Sequence, residues 1–261
     1  MRVTVLQDVR DGVMTLSIAR PERRNALTVA MYTALAAALL EASANPKVRA
    51  VILTGAGGIF TAGNDLEDFL HSPPAAAAGE LNAPVFSFMR ALLGCSKPVI
   101  AAVVGPAVGI GATLLLHCDL VYLSDDARLS MPFITLGLVP EFASSRLLPQ
   151  RIGRAKAAAM LLLGDPMSAA EAVACGMANA ALPAAEVLPT AQRAAARLAA
   201  LPPVAVRESR QLLRGAEDRI IIETIVAEAR VFGARLHSPE AREAMQAFFD
   251  KRKADFSKFQ A

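Results

Sequence analysis

The sequence has no tryptophan and only two tyrosines, and aromatic residues make up 5% of its 261 positions. Single-stranded nucleic acid is gripped by stacking bases on aromatic platforms, so this scarcity argues against such a surface. Cysteine is scarce as well: Cys95, Cys118 and Cys175 are far apart, odd in number and form no C-x-x-C pair. No disulfide framework is expected, and a reducing cytoplasm is the expected location. There is no strong excess of one charge. The formal net charge is +3 with Lys and Arg dispersed, which suits a phosphate-bearing small ligand rather than a nucleic-acid groove. H-E-x-x-H, a Walker loop and G-x-S-x-G are all missing, and no metal site is expected.

Residues 1–12 alternate apolar and polar types without a long apolar run, unlike a signal peptide. Residues 98–116 carry no charge and are long enough to raise a membrane span. Gly105, Pro106, Gly109 and Gly111 interrupt that stretch, however, and Asp119 follows it. It reads as a buried strand, a turn and the start of a buried helix, so no membrane association is expected.

What is present is apolar material for a large core, 54% of the chain. Strands are expected over residues 3–6 and 13–18, joined by the Asp11-Gly12 turn. Thr28 offers an N-cap for an alanine- and leucine-rich helix to about Ala44. Residues 48–54 read as a buried strand, followed by a loop with Gly55, Gly57, Gly58 and Gly63. The plan recurs: a strand over 99–104, a glycine turn over 105–111, a helix over 112–118 and a strand over 120–123. Alternating strands and helices imply an α/β core with parallel pairing. Residues 71–82 read as a loop or weak helix. Residues 201–261 read as a helical region of two or three helices and a candidate interface, appended to a core over residues 1–200.

The three histidines offer little chemistry. His117 lies in an apolar helical stretch and reads as structural or solvent-facing, and His71 and His237 sit in polar or loop contexts. The glycine turns say more. A turn feeding a helix leaves N–H groups without acceptors, and these favour negative charge. Two such places occur, at Ala62-Gly63-Asn64-Asp65 and Gly109-Ile110-Gly111. Each alone is explained by a tight turn needing positive φ. Together, at matching places in repeated units, they also fit an oxyanion hole with one N–H from each, and both readings stay open at this point.

Three stretches resemble, in order and spacing, the signatures of the crotonase (enoyl-CoA hydratase/isomerase) family. They are Arg20-Pro21-Glu22-Arg23-Arg24-Asn25-Ala26-Leu27, Phe60-Thr61-Ala62-Gly63-Asn64-Asp65-Leu66 and the run from Lys97-Pro98 to Gly109-Ile110-Gly111. The tail Phe248-Phe249-Asp250-Lys251-Arg252-Lys253-Ala254-Asp255-Phe256 is similar to the family's as well. The resemblance implies a spiral of ββα units with a helical C-terminal region, assembled as a homotrimer or a dimer of trimers. It implies an acyl-CoA substrate and no tightly bound cofactor, because coenzyme A arrives with the thioester. Oxyanion N–H groups would come from Asn64 and Ile110. The CoA and acyl groups would lie near Arg23, Arg24, Ala26, Ala62, Asp65, Leu66, Gly109 and Phe133. Phe248 and Lys251 would reach the CoA of a neighbouring subunit, although Lys251 by sequence alone is a solvated lysine.

The two glutamates of the family's hydratases align with Thr113 and Phe133, neither of which can act as a base. Glu141, in Pro140-Glu141-Phe142-Ala143-Ser144-Ser145, is the acid that remains. Unaided, it reads as a glutamate favoured by the dipole of a following helix. Its context is similar to the Δ3,Δ2-enoyl-CoA isomerase branch, in which this glutamate is the single base moving a proton between C2 and C4. Phe142 stands where that branch has glycine, which leaves acyl length open. The alternatives are a hydratase or another lyase or hydrolase of the family, and a non-catalytic acyl-CoA-binding protein.

Overall fold

A computed structural model describes residues 4–71 and 83–259. Strands β1 (Val5–Arg10) and β2 (Val13–Ile18) form a hairpin around Asp11-Gly12. β1 therefore runs further than residues 3–6, because a two-residue turn lets Arg10 pair directly with Val13. Thr28 caps helix α1 (Val29–Ala44), its side chain accepting from the Met31 N–H.

β3 (Ala50–Gly55) joins β2 in parallel. α2 (Leu66–His71) follows, then α3 (Pro84–Leu93), which packs along α1. The loop or weak helix expected over residues 71–82 lies outside the described residues, apart from His71 at the end of α2.

β4 (Val99–Val103), β6 (Leu120–Ser124) and β9 (Ala180–Leu182) extend the main sheet, all parallel, in the order β1-β2-β3-β4-β6-β9. A second sheet is made of β5 (Pro106–Val108), β7 (Arg128–Ser130) and β8 (Met167–Ser168). β5 corrects the expectation of an uninterrupted glycine turn over 105–111. Its three residues pair with a strand twenty residues downstream, a partner no local pattern reveals. The helix expected over 112–118 is also revised. α4 is one turn, Ile110–Thr113, and continues as a 3₁₀ turn over Leu114–His117.

Strand periodicity explains the two cores. Val51, Leu53, Val99 and Ala101 face the main core beneath α1 and α3. Ala50, Ile52, Ile100 and Ala102 face Val187, Ala191 and Ala195 of α8 (Ala184–Ala200) on the other side. A central strand buried on both faces reads as a continuous apolar run, as β3 and β4 do. Each fully buried Val, Leu or Ile contributes roughly 1.5–3 kcal/mol. Along the chain between β7 and β9 come α5 (Ser144–Ile152), α6 (Arg154–Ala158) and α7 (Ala169–Ala174).

Beyond residue 201 come α9 (Pro203–Arg214), α10 (Asp218–Leu236) and α11 (Pro239–Phe249). Ile221, Ile225, Ala241 and Met245 of this region join the main core, so α10 and α11 close over it. Among the described residues, no helix is long and apolar enough to cross a membrane.

Candidate active site

Two isolated bridges lock the glycine segments together. Leu27 pairs with Asn64, and Thr61 pairs with Ala107. In the first, Leu27 N–H donates to Gly63 O (2.8 Å) and Asp65 N–H to Leu27 O (2.9 Å). The Asn64 N–H points the other way, and it meets no acceptor among the described residues. In the second, Thr61 N–H donates to Pro106 O (3.2 Å) and Val108 N–H to Thr61 O (3.1 Å). Residues 61–64 thus lie against 106–109, backbone on backbone. A Cβ on Gly63 would stand 2.8 Å from Val108 O, and one on Gly111 would stand 2.4 Å from the Thr61 methyl. Both glycines are there for close approach. Gly109, with φ +56°, then turns the chain into α4 and leaves the N–H of Ile110 at its first position, with no intrahelical acceptor.

The loop before α1 is held by Asn25, fully buried with φ +57°. Its Nδ2 donates to Ala56 O (2.9 Å) and Ile59 O (2.6 Å), and its Oδ1 accepts from the Arg20 N–H (2.8 Å). That anchor sets Arg23 and Arg24 at the rim. Arg20 Nη1 donates to Asp65 Oδ2 at 2.5 Å. Burial pushes the Asp65 carboxyl up, but hydrogen bonds from Arg20 and the Glu67 N–H outweigh it and hold it below its ordinary value.

Glu141 is the third part. It is 8% exposed, and its Oε1 is buried with no hydrogen-bond partner. Burial, and then the charge of Glu228, push its carboxyl up to about 8. Tyr32 stands close by, its hydroxyl donating to Asn64 Oδ1. Burial and the Glu141 charge keep that phenol protonated well above its usual range.

These groups border two connected spaces. An inner cavity of about 120 Å³ is lined by Leu27, Tyr32, Asn64, Val85, Phe86, Met89, Glu141, Phe142, Ile225, Glu228 and Phe232, among others. An outer groove of about 620 Å³ is lined by Arg23, Arg24, Ala26, Ala62, Asn64, Asp65, Leu66, Gly109, Phe133 and Phe248, among others. The two share Asn64, Asp65 and Phe232. The sequence-derived residues therefore gather around one path, with the acid at the inner end and the arginines at the outer end. Ile110 is wholly buried beneath it, contributing backbone only. Phe248, 60% exposed, lines the groove of its own chain, whereas Lys251 is exposed and outside both linings.

Thr113 is buried with its hydroxyl on Ile110 O (3.4 Å), and Phe133 packs edge-on against Phe232. Neither position offers a carboxylate. His117 is structural: burial lowers it to about 4, its Nε2 bonds Phe142 O (2.8 Å), and its ring stacks on Phe142 at 3.8 Å. Among the described residues no group of acids, histidines and cysteines could hold a metal ion, and Cys95, Cys118 and Cys175 are free thiols.

Sequence reasoning missed Tyr32, Phe232 and Glu228. Glu228 carried a readable signal, since it falls on the apolar stripe Ile221, Ile225, Ala229, Phe232 of α10 at helical spacing. Its Oε2 accepts from the Ala143 N–H (2.6 Å), and its Oε1 from the Ser145 N–H (2.9 Å) and hydroxyl (2.5 Å).

Residues 8–259 match the enoyl-CoA hydratase/isomerase family. The chain is 36% identical to the 1,2-epoxyphenylacetyl-CoA isomerase of Escherichia coli (strain K12), over 97% of this chain and 98% of that one. It is 31% identical to a probable enoyl-CoA hydratase of Mycobacterium bovis, over 98% of this chain and 97% of that one. The structure of Pseudomonas aeruginosa OdaA superposes with a TM-score of 0.90 at 50% identity, covering 94% of this chain and 98% of that one. By fold and by sequence along nearly its whole length, this chain belongs to the enoyl-CoA hydratase/isomerase family and has the crotonase fold of its enzymes.

Proposed function

We propose that this enzyme is a Δ3,Δ2-enoyl-CoA isomerase of unsaturated fatty-acid breakdown. The observation that carries the reading is Glu141, the one unengaged carboxylate of the inner cavity among the described residues, whose buried Oε1 has no partner there. The other carboxylates there are committed: Glu228 to three donors, Asp65 to Arg20, and Asp68 to the Val29 N–H (2.9 Å).

Moving a double bond from C3 to C2 takes a proton from C2 and returns one at C4. In between, charge collects on the thioester oxygen. The N–H groups of Asn64 and Ile110 have no other acceptor among the described residues and suit that oxygen, and each such donor is typically worth ~3–4 kcal/mol when tested by removal. One carboxylate serves both transfers, as base at C2 and as acid at C4. With its proton affinity raised to about 8, Glu141 suits both roles near neutral pH. The CoA would lie in the outer groove, its phosphates towards Arg23 and Arg24, with Phe248 and Lys251 contributing from the C-terminal region. Exposed Leu212 and Leu213 on α9 support assembly through the helical region, and the family resemblance suggests a trimer, alone or paired.

Hydration of 2-enoyl-CoA, the alternative, ordinarily needs a second free carboxylate to hold the water, and Thr113 and Phe133 occupy those positions. The test is spectroscopic, with 3-hexenoyl-CoA and 2-hexenoyl-CoA supplied separately. A rise of conjugated-thioester absorbance from the 3-enoyl substrate, lost in Glu141→Gln, is expected. Decay of the 2-enoyl signal alone means hydration. Tight CoA-ester binding with neither change means a binding protein.

A further inference from the structure

We propose that Glu228 is a positioning residue for the reaction: from α10 it clamps the turn that carries Glu141 and presents a fixed negative charge to that base across the acyl cavity. The proposal rests on Glu141 being the base.

The clamp is visible in the hydrogen bonds. Glu228 is 8% exposed, yet both of its oxygens are engaged, by the backbone of Ala143 and by the backbone and hydroxyl of Ser145. Three donors on one buried carboxylate stabilise its anion, working against the burial that pushes the carboxyl above its ordinary value. The turn it holds needs holding. Phe142 and Ala143 both have positive φ, +59° and +56°, conformations that side chains with a Cβ disfavour. His117 fixes one side through Phe142 O, and Glu228 fixes the other through Ala143 N–H. Glu141 directly precedes this pair, so its direction is set by the clamp.

The charge has an effect of its own. Facing Glu141 are Tyr32 from α1, whose hydroxyl is spent on Asn64, and Asp65 and Asp68 from the start of α2. Asp65 is neutralised by Arg20. Outside the cavity lining, the 3₁₀ turn carries His117, which is uncharged, and α5 carries Arg146, whose guanidinium lies 4.0 Å from Glu217. Among the described residues, no lysine or arginine lines the inner cavity. The Glu228 charge therefore reaches Glu141 without a cation between them, and like charge raises the proton affinity of a neighbouring acid. A serine or asparagine could cap the turn equally well, but only an anion also makes the base stronger.

The experiment is the pH dependence of kcat/KM with 3-hexenoyl-CoA, between about pH 5.5 and 9.5, for wild type, Glu228→Gln, Glu228→Asp and Glu141→Gln. The wild-type profile is expected to rise to a plateau through about 8. In Glu228→Gln the inflection should fall by about one pH unit or more, with the plateau lowered at least ~10-fold. Glu228→Asp keeps the charge but withdraws it, and should lie between the two. A purely structural role would lower the plateau and leave the inflection in place, so an unchanged inflection in both variants overturns the proposal. Should Glu228→Gln fail to fold, Glu228→Asp alone decides by the same criterion. Turnover surviving in Glu141→Gln would instead overturn the base assignment, and the proposal with it.

Discussion

Burying an acid for catalysis has a cost in stability that can be measured at equilibrium. Glu141 has an ordinary value of 4.5 and is raised to about 8 in the folded chain, so the folded state holds its proton more tightly than the unfolded state does. Below pH 4.5 both states are protonated and Glu141 costs nothing by this route. Between pH 4.5 and 8 the unfolded chain ionises first, and stability is lost as pH rises through the folded value. The full loss corresponds to roughly 4–5 kcal/mol, at 1.36 kcal/mol per pKa unit. Glu141→Gln keeps the shape and removes the ionisation. The variant should match wild type at pH 4–5 and be more stable at pH 9 by several kcal/mol, a melting shift on the order of 10 °C for a chain of this size. His117, lowered from 6.5 to about 4, destabilises both proteins as pH falls through that window and cancels in the difference. The assay is thermal melting of both proteins from pH 5 to 9 at fixed protein concentration. A stability difference that does not grow with pH would refute the claim that Glu141 is buried with a raised proton affinity.

Phe142 closes the inner cavity beside His117 and Phe88, on a left-handed backbone that suits glycine. Phe142→Gly should raise the long-chain to short-chain ratio of kcat/KM by ~10-fold or more, measured over a C6 to C14 substrate series, while costing ~2–4 kcal/mol in stability. Gly63→Ala forces a Cβ onto Val108 O and separates the two donor segments, so kcat should fall ~100-fold with CoA-ester binding retained. Tyr32→Phe removes the hydroxyl that holds the Asn64 side chain, and kcat should drop roughly 3- to 10-fold with KM little changed.

The legible parts of the molecule are those written in local pattern. The strand over 13–18 and the Thr28 cap appear where alternation and capping chemistry put them. The glycines beside Asn64 and Ile110 could be read directly as turns or close approaches, whereas the choice of those two N–H groups came from the family resemblance. Glu141 stood out as a carboxylate in an apolar stretch, but unaided it read as a glutamate favoured by a helix dipole, and only the family resemblance suggested a base. β5 was hidden because Pro106-Ala107-Val108 between glycines looks like a turn, and only pairing with Arg128–Ser130 makes it a strand. Glu228 was hidden for a different reason. Its place on the apolar stripe of α10 marks it as inward-facing, but its partners lie more than eighty residues earlier, where no local pattern names them.

The central claim is that one carboxylate moves one proton from C2 to C4. The direct measurement uses 3-hexenoyl-CoA deuterated at C2, with the position of the label in the product read by mass spectrometry and NMR. The account predicts 2-hexenoyl-CoA with part of the deuterium carried to C4 by wild type, and no product from Glu141→Gln. Isomerised product from Glu141→Gln, or a wild-type product that has gained water across the double bond, would contradict it.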